Sequence, residues 1–123
     1  MAKIETTHRT INLGSIHTIP LGQGRCYIVE EQEIAVFRQR DGHLFATQNR
    51  CPHGRGPLSD GLIGARKVIC PLHAHKFNLE TGAGTEPGEC LNTYQVIEAN
   101  GDILLRVDVT GFPSDTRVAA RLG

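Results

Sequence analysis

The stretch Asn49-Arg50-Cys51-Pro52-His53-Gly54-Arg55-Gly56-Pro57-Leu58 and its continuation Ile69-Cys70-Pro71-Leu72-His73-Ala74-His75-Lys76-Phe77 decide how this chain is read. Both lie in residues 49–88, and over residues 50–88 glycine and proline accumulate: Pro52, Gly54, Gly56, Pro57, Gly61, Gly64, Pro71, Gly82, Gly84, Pro87 and Gly88. Only residues 67–70 and 76–79 inside that span have the composition of strands. Such punctuation belongs to loops. An insertion this long in a small domain is usually functional.

On either side the pattern changes. Residues 10–13, 25–30, 33–38, 43–48, 94–98 and 102–109 are short runs rich in β-branched and aromatic side chains, which read as strands. Asp41-Gly42 and Asn100-Gly101 mark two hairpins, because both pairs tolerate the positive φ angles of tight two-residue turns. No segment before residue 113 sustains a helical period. The expected fold is all-β: an antiparallel sandwich or small barrel with an inserted subdomain of loops and short strands. The division is an N-terminal extension over 1–9, a β domain over 10–109 with its insertion at about 49–88, and a tail over 110–123. The tail suggests a short helix at 115–122, with no function assigned.

A chain of 123 residues and 13.4 kDa buries one core. With 39% hydrophobic and 21% charged residues it is ordinary globular material. Thirteen cationic side chains cancel thirteen anionic ones, so there is no electrostatic footprint for nucleic acid or an anionic membrane. No apolar run approaches the ~18 residues of a membrane span. Residues 1–10 are polar and lack the apolar core of a secretion signal. A cytoplasmic protein is expected, and in that reducing compartment the four cysteines do not read as two disulfides.

The insertion carries two of the four cysteines and three of the six histidines. Cys51-Pro52-His53 and Cys70-Pro71-Leu72-His73 each offer one thiolate and one imidazole, with sixteen residues between His53 and Cys70. Proline after each cysteine fixes φ and removes an N–H, stiffening the loop. Neighbouring glycines let the backbone close over a compact object. Three readings fit: buried thiols beside surface histidines, a tetrahedral zinc site, or a two-iron cluster. Structural zinc ligands are commonly spaced by two to four residues, and Cys51 and His53 are separated by one. In a mixed-ligand cluster one iron takes both cysteines and the other both histidines, which suits two matching loops.

The pattern resembles the Rieske family. The resemblance rests on Cys51-x-His53 and Cys70-x-x-His73 in the context of Asn49-Arg50, Gly56-Pro57-Leu58, Ile69, Pro71-Leu72, Phe77 and Thr81-Gly82. It covers roughly residues 10–109 and implies one 2Fe–2S cluster per chain, held by Cys51, His53, Cys70 and His73. The insertion would then be the cluster-binding subdomain, with the two histidines near its exposed tip. The implied role is an electron-transfer component, not a complete enzyme. It would take one electron from a flavin-containing reductase and pass it to a sirohaem or oxygenase subunit.

High-potential members of the family add a disulfide between the loops, a serine donor and a tyrosine donor. The corresponding positions here are Gly56 and Leu72, His75, and Phe77, so none of the three devices can form. The resemblance therefore implies the low end of the Rieske range, about −150 mV and below 0 mV. Residues 34–38 with 41–46, and residues 56–61, look more like the small subunit of NAD(P)H-dependent nitrite reductase. The alternative is the ferredoxin component of an aromatic-ring-hydroxylating dioxygenase, and a zinc-stabilised binding module remains a third reading. Residues 50–80 carry Arg50, Arg55, Arg66, Lys67 and Lys76 against Asp60 and Glu80, a net charge of +3 suited to an acidic partner. His75 reads as an exposed loop histidine, with an outer-shell donor or a docking residue as the alternatives, Phe77 as packing beneath the loops, and Cys26 as a buried free thiol. Cys90, just outside the loops, and His8, His17 and His43 receive no role.

Overall fold

The computed structural model of the chain describes residues 6–52, 56–71, 75–85 and 88–110, with side chains from Arg9 through Val107 within those limits. The strands are β1 (Thr6–Ser15), β2 (Gln23–Val29), β3 (Gln32–Arg38), β4 (Leu44–Gln48), β5 (Leu62–Gly64), β6 (Lys67–Ile69), β7 (Lys76–Asn78), β8 (Thr93–Ala99) and β9 (Asp102–Thr110). Single 3-10 turns occur at Ile16–Thr18 and Leu58–Asp60. A six-stranded antiparallel sheet runs in the order β1-β9-β8-β4-β3-β2 and wraps its core as a half-barrel. The insertion forms a separate three-stranded sheet, β5-β6-β7.

Two cores share one strand. Ile34 and Val36 of β3 pack into the barrel core with Ile16, Ile19, Val29, Ala46, Ile103 and Leu105. Ala35 and Phe37, on the opposite face, join a second core with Cys51, Leu58, Val68, Cys70, Phe77, Leu79 and Leu91. Side chains alternate across a strand, so an unbroken apolar run such as 34–37 is stable only where both faces are covered. The insertion supplies the second cover.

The turns divide into two kinds. Asn100 and Gly101 both have positive φ, 54° and 84°, and close β8–β9 as the expected two-residue turn. The β3–β4 connection is longer. Gln39 N–H donates to the His43 carbonyl at 2.8 Å, leaving Arg40-Asp41-Gly42 as a three-residue loop in which Gly42 alone has positive φ, 95°. The Asp41 carboxylate explains the extra residue: it accepts from the His43 backbone N–H at 3.0 Å and from the Gln39 amide at 3.1 Å. These bonds, the His43 N–H first, lower the Asp41 pKa to about 2.

Two further turns use side chains that rarely adopt left-handed backbone: Glu30-Glu31 between β2 and β3, and Ala65-Arg66 between β5 and β6. At the second, the Arg66 N–H is held by Gln39 Oε1 at 2.7 Å and its carbonyl accepts from Leu79 N–H at 2.8 Å. Gln39 thereby pins the insertion to the end of β3. Strand β5 was not apparent in the sequence, and β1 begins at Thr6, pairing Thr6 with Thr110. The helix expected at 115–122 lies outside the described residues.

Candidate metal centre

Each half of the insertion ends in a finger closed at its base by the same bond. Cys51 N–H donates to the Gly56 carbonyl at 2.9 Å, and Cys70 N–H donates to the His75 carbonyl at 2.8 Å. In both cases the acceptor lies five positions after the cysteine. The first finger presents its histidine two positions after the cysteine and the second three positions after it. His53 and His73 lie outside the described residues.

The two cysteines are brought together. Cys51 and Cys70 are 0% and 1% exposed, belong to one buried cluster, and are unbridged thiols. Phe77 is fully buried in the same cluster, as expected of a residue beneath the loops. Free cysteine is often buried as a small hydrophobe. Two of them in one buried cluster, each followed by proline and each closing its loop with the same backbone bond, make a donor set suited to a thiophilic metal.

The first finger is anchored by a residue to which the sequence reading gave no separate role. Asn49, 2% exposed, uses all its polar groups. Its N–H donates to the Glu33 carbonyl at 3.1 Å, and its carbonyl accepts from Leu58 N–H at 2.6 Å. Its side-chain oxygen accepts from Ser59 N–H at 2.9 Å, and its amide donates to Glu33 Oε1 at 2.9 Å. Glu33 also takes the Arg50 guanidinium through Nε at 3.0 Å and Nη2 at 3.2 Å, a two-point pair. Gln48 completes the base, donating to the Arg50 carbonyl at 2.7 Å.

The second finger is anchored differently. The His75 side chain is only 17% exposed, and its Nδ1 lies 3.1 Å from the Glu89 carboxylate, itself 15% exposed. The expectation of a solvent-exposed loop histidine is corrected: its side chain is mostly buried and its ring is paired with Glu89. The basic collar is also partly neutralised, since Arg50 pairs with Glu33 and Arg66 with Glu80 at 2.8 Å. Cys26 is half-buried and free, and Cys90 is exposed and free. Burial pushes the Cys26 thiol pKa up; the Glu33 charge adds to this, Arg50 opposes it, and Asp60 adds further.

A cleft of about 700 Å³ is lined by Gln32, Ile34, Tyr94, Gln95, Arg106 and Val107, among others. It opens on the barrel face of β3, whereas both cysteines pack against the other face. Among the described residues, no helix is long and apolar enough to cross a membrane.

Comparison with known proteins agrees with this geometry. The model of the Rieske-like [2Fe-2S] domain matches residues 10–106. The chain belongs to that family. Its cofactor is a Rieske 2Fe–2S cluster and its role is that of a ferredoxin-like electron carrier. This Rieske chain is 32% identical, over 83% of its length and 99% of the relative's, to the ferredoxin component of the naphthalene 1,2-dioxygenase/salicylate 5-hydroxylase systems of a Ralstonia species. Its fold matches that of NirD from Escherichia coli, a nitrite reductase small subunit, with a TM-score of 0.76 at 25% identity, covering 82% of this chain and 98% of that one. It also matches a chain of the oxygenase–ferredoxin complex of carbazole 1,9a-dioxygenase, with a TM-score of 0.68 at 26% identity, covering 77% and 99%. The two buried thiols suit a Rieske cluster, in which cysteines ligate one iron and histidines the other.

Proposed function

We propose that Cys51 and Cys70 hold the inner iron of the cluster and that His53 and His73 hold the outer one. The observation that carries this reading is the same closing bond at each cysteine, Cys51 N–H to Gly56 and Cys70 N–H to His75, with both thiols buried in one core. The cluster supplies reversible uptake of a single electron. The chain's own residues fix its surroundings: Phe77, Leu58, Val68 and Leu91 exclude water from the thiolate side, and Asn49 and His75 hold the feet of the fingers. Substituting His73→Ala is expected to abolish the Rieske absorption and EPR spectra. Their persistence would overturn the assignment.

The reduction potential is placed at the low end of the Rieske range, about −150 mV. Phe77, fully buried, brings no hydroxyl to the cluster side, and positions 56 and 72 carry no cysteine. A protein-film midpoint below about 0 mV is expected, and one above about +100 mV would contradict the placement.

The protein is read as a cytoplasmic carrier, with a flavin-containing reductase as donor. The acceptor favoured is a sirohaem nitrite reductase subunit, supported by the likeness to NirD. The second reading, an oxygenase acceptor, is supported by the relative aligned over 99% of its length. Stopped-flow oxidation of the reduced protein by each acceptor separates them: rapid transfer to the sirohaem subunit supports the first reading, and rapid transfer to the oxygenase alone supports the second. The cluster-bearing unit is proposed to be the Rieske domain expected over 10–109, its sheet extended by Thr6–Arg9 of β1 and Thr110 of β9, with a cluster-binding part at about 49–88.

A further inference from the structure

We infer that Glu89 is a positioning residue for the second finger and sets the electron affinity of the cluster through His75. The inference rests on the ligand assignment above, because it places the cluster against that finger. His75 has two roles at one position. Its carbonyl closes the finger by accepting from Cys70 N–H at 2.8 Å. Its ring is held from outside by Glu89 at 3.1 Å. A carboxylate only accepts, so Nδ1 carries the proton of this bond. Orientation of the His75 side chain and closure of the Cys70 loop are therefore fixed by the same residue, and a change at Glu89 is transmitted to both.

Gly84 lets the contact form. It pairs with Phe77 of β7 on one side and donates its N–H to the Glu89 carbonyl at 2.9 Å on the other. A Cβ at this position would lie 2.7 Å from Glu89 Cβ and 3.0 Å from Phe77 Cε1. The φ angle of Gly84 is not positive, so its backbone does not require glycine; the space does. Glu89 thus packs against a backbone position that has no side chain to obstruct it. Glu89 and His75 are both more than four-fifths buried, where a fixed charge is weakly screened and favours the oxidised form of a nearby centre.

The test uses the cluster-loaded protein and reads the midpoint potential and the EPR line shape at neutral pH. Glu89→Gln keeps an acceptor for Nδ1–H and removes the charge. It is expected to move the equilibrium roughly tenfold toward the reduced form, about 59 mV for a one-electron couple, with g values retained. Gly84→Ala displaces Glu89 and is expected to raise the potential in the same direction and broaden the EPR lines. If Glu89→Gln fails to load a cluster, Glu89→Asp, which restores the charge, is expected to restore loading and a near-native potential. Failure of that rescue, or an unchanged potential in loaded Glu89→Gln, overturns the inference. Failure of the ligand assignment looks different: Cys70→Ser would then keep the native Rieske spectrum, whatever Glu89 does.

Discussion

The backbone N–H of Cys70 donates to the carbonyl of His75 at 2.8 Å, and Cys51 and Gly56 repeat that bond at 2.9 Å in the other finger. Two segments with different sequences thus share one closing bond from the cysteine to the fifth residue after it. The shared constraint is the Cys-Pro pair. Its proline cannot donate inside the loop, so the cysteine N–H is the donor that seals it. Both thiols then point into one core together with Phe37, Phe77 and Leu91, which ties the metal centre to the same packing that covers the outer face of β3.

Thiol reactivity follows from this burial. In the loaded protein, exposed Cys90 is expected to alkylate first and half-buried Cys26 more slowly, because burial raises its pKa and lowers its thiolate fraction. Cys51 and Cys70 are expected to react only after the cluster is removed. Mass spectrometry of iodoacetamide-treated protein before and after chelation checks the order. Labelling of Cys51 or Cys70 in loaded protein at the rate of Cys90 would contradict it.

Asn49 anchors the first finger, so Asn49→Ala strands the Ser59 N–H and removes one partner of Glu33. Each buried group left unsatisfied costs about 1–3 kcal/mol. A lower thermal midpoint and faster loss of visible absorbance on dilution are expected. Asn49→Asp keeps the acceptor for Ser59 but sets a carboxylate against Glu33, and is expected to be no better tolerated. Native stability in both variants would remove Asn49 from the account.

Asp41 gives a pH signature to the β3–β4 turn. Its folded pKa is lowered to about 2 from 3.8, chiefly by the His43 N–H and then by the Gln39 amide. A depressed folded pKa means that the ionised form favours the native state. The contribution is fully present above pH 3.8 and is lost as the pH falls toward 2. Carboxylate NMR is expected to place the Asp41 midpoint near 2, and the stability gap between the native chain and Asp41→Asn is expected to close over that window. A midpoint at 3.8 would contradict the turn geometry.

Much of the fold was legible because the chemistry was local. β-branched and aromatic runs marked the strands of the large sheet, while the burial of 34–37 on both faces emerged only with the insertion folded over β3. Strand β5 escaped because its pairing, Leu62 with Ile69, is made across a turn built from Ala65 and Arg66. Nothing in those two residue types signals left-handed backbone; Gln39, far away in sequence, stabilises it. Gly61 had a hidden reason too, since a Cβ there would collide with the Ile69 carbonyl oxygen. At the site, the cysteines were read from spacing. The roles of Asn49, Glu33 and Glu89 were not, because each acts through contacts between segments that only the fold brings together.

The claim on which all of this stands is mixed sulfur and nitrogen ligation of one cluster by the two fingers. Pulsed EPR of the dithionite-reduced protein reads it directly through nitrogen hyperfine couplings. Two strongly coupled imidazole nitrogens are expected in the native chain, with the spectrum abolished by His53→Ala or His73→Ala. A signal without imidazole nitrogen, or a colourless zinc-containing protein with no signal at all, would contradict it.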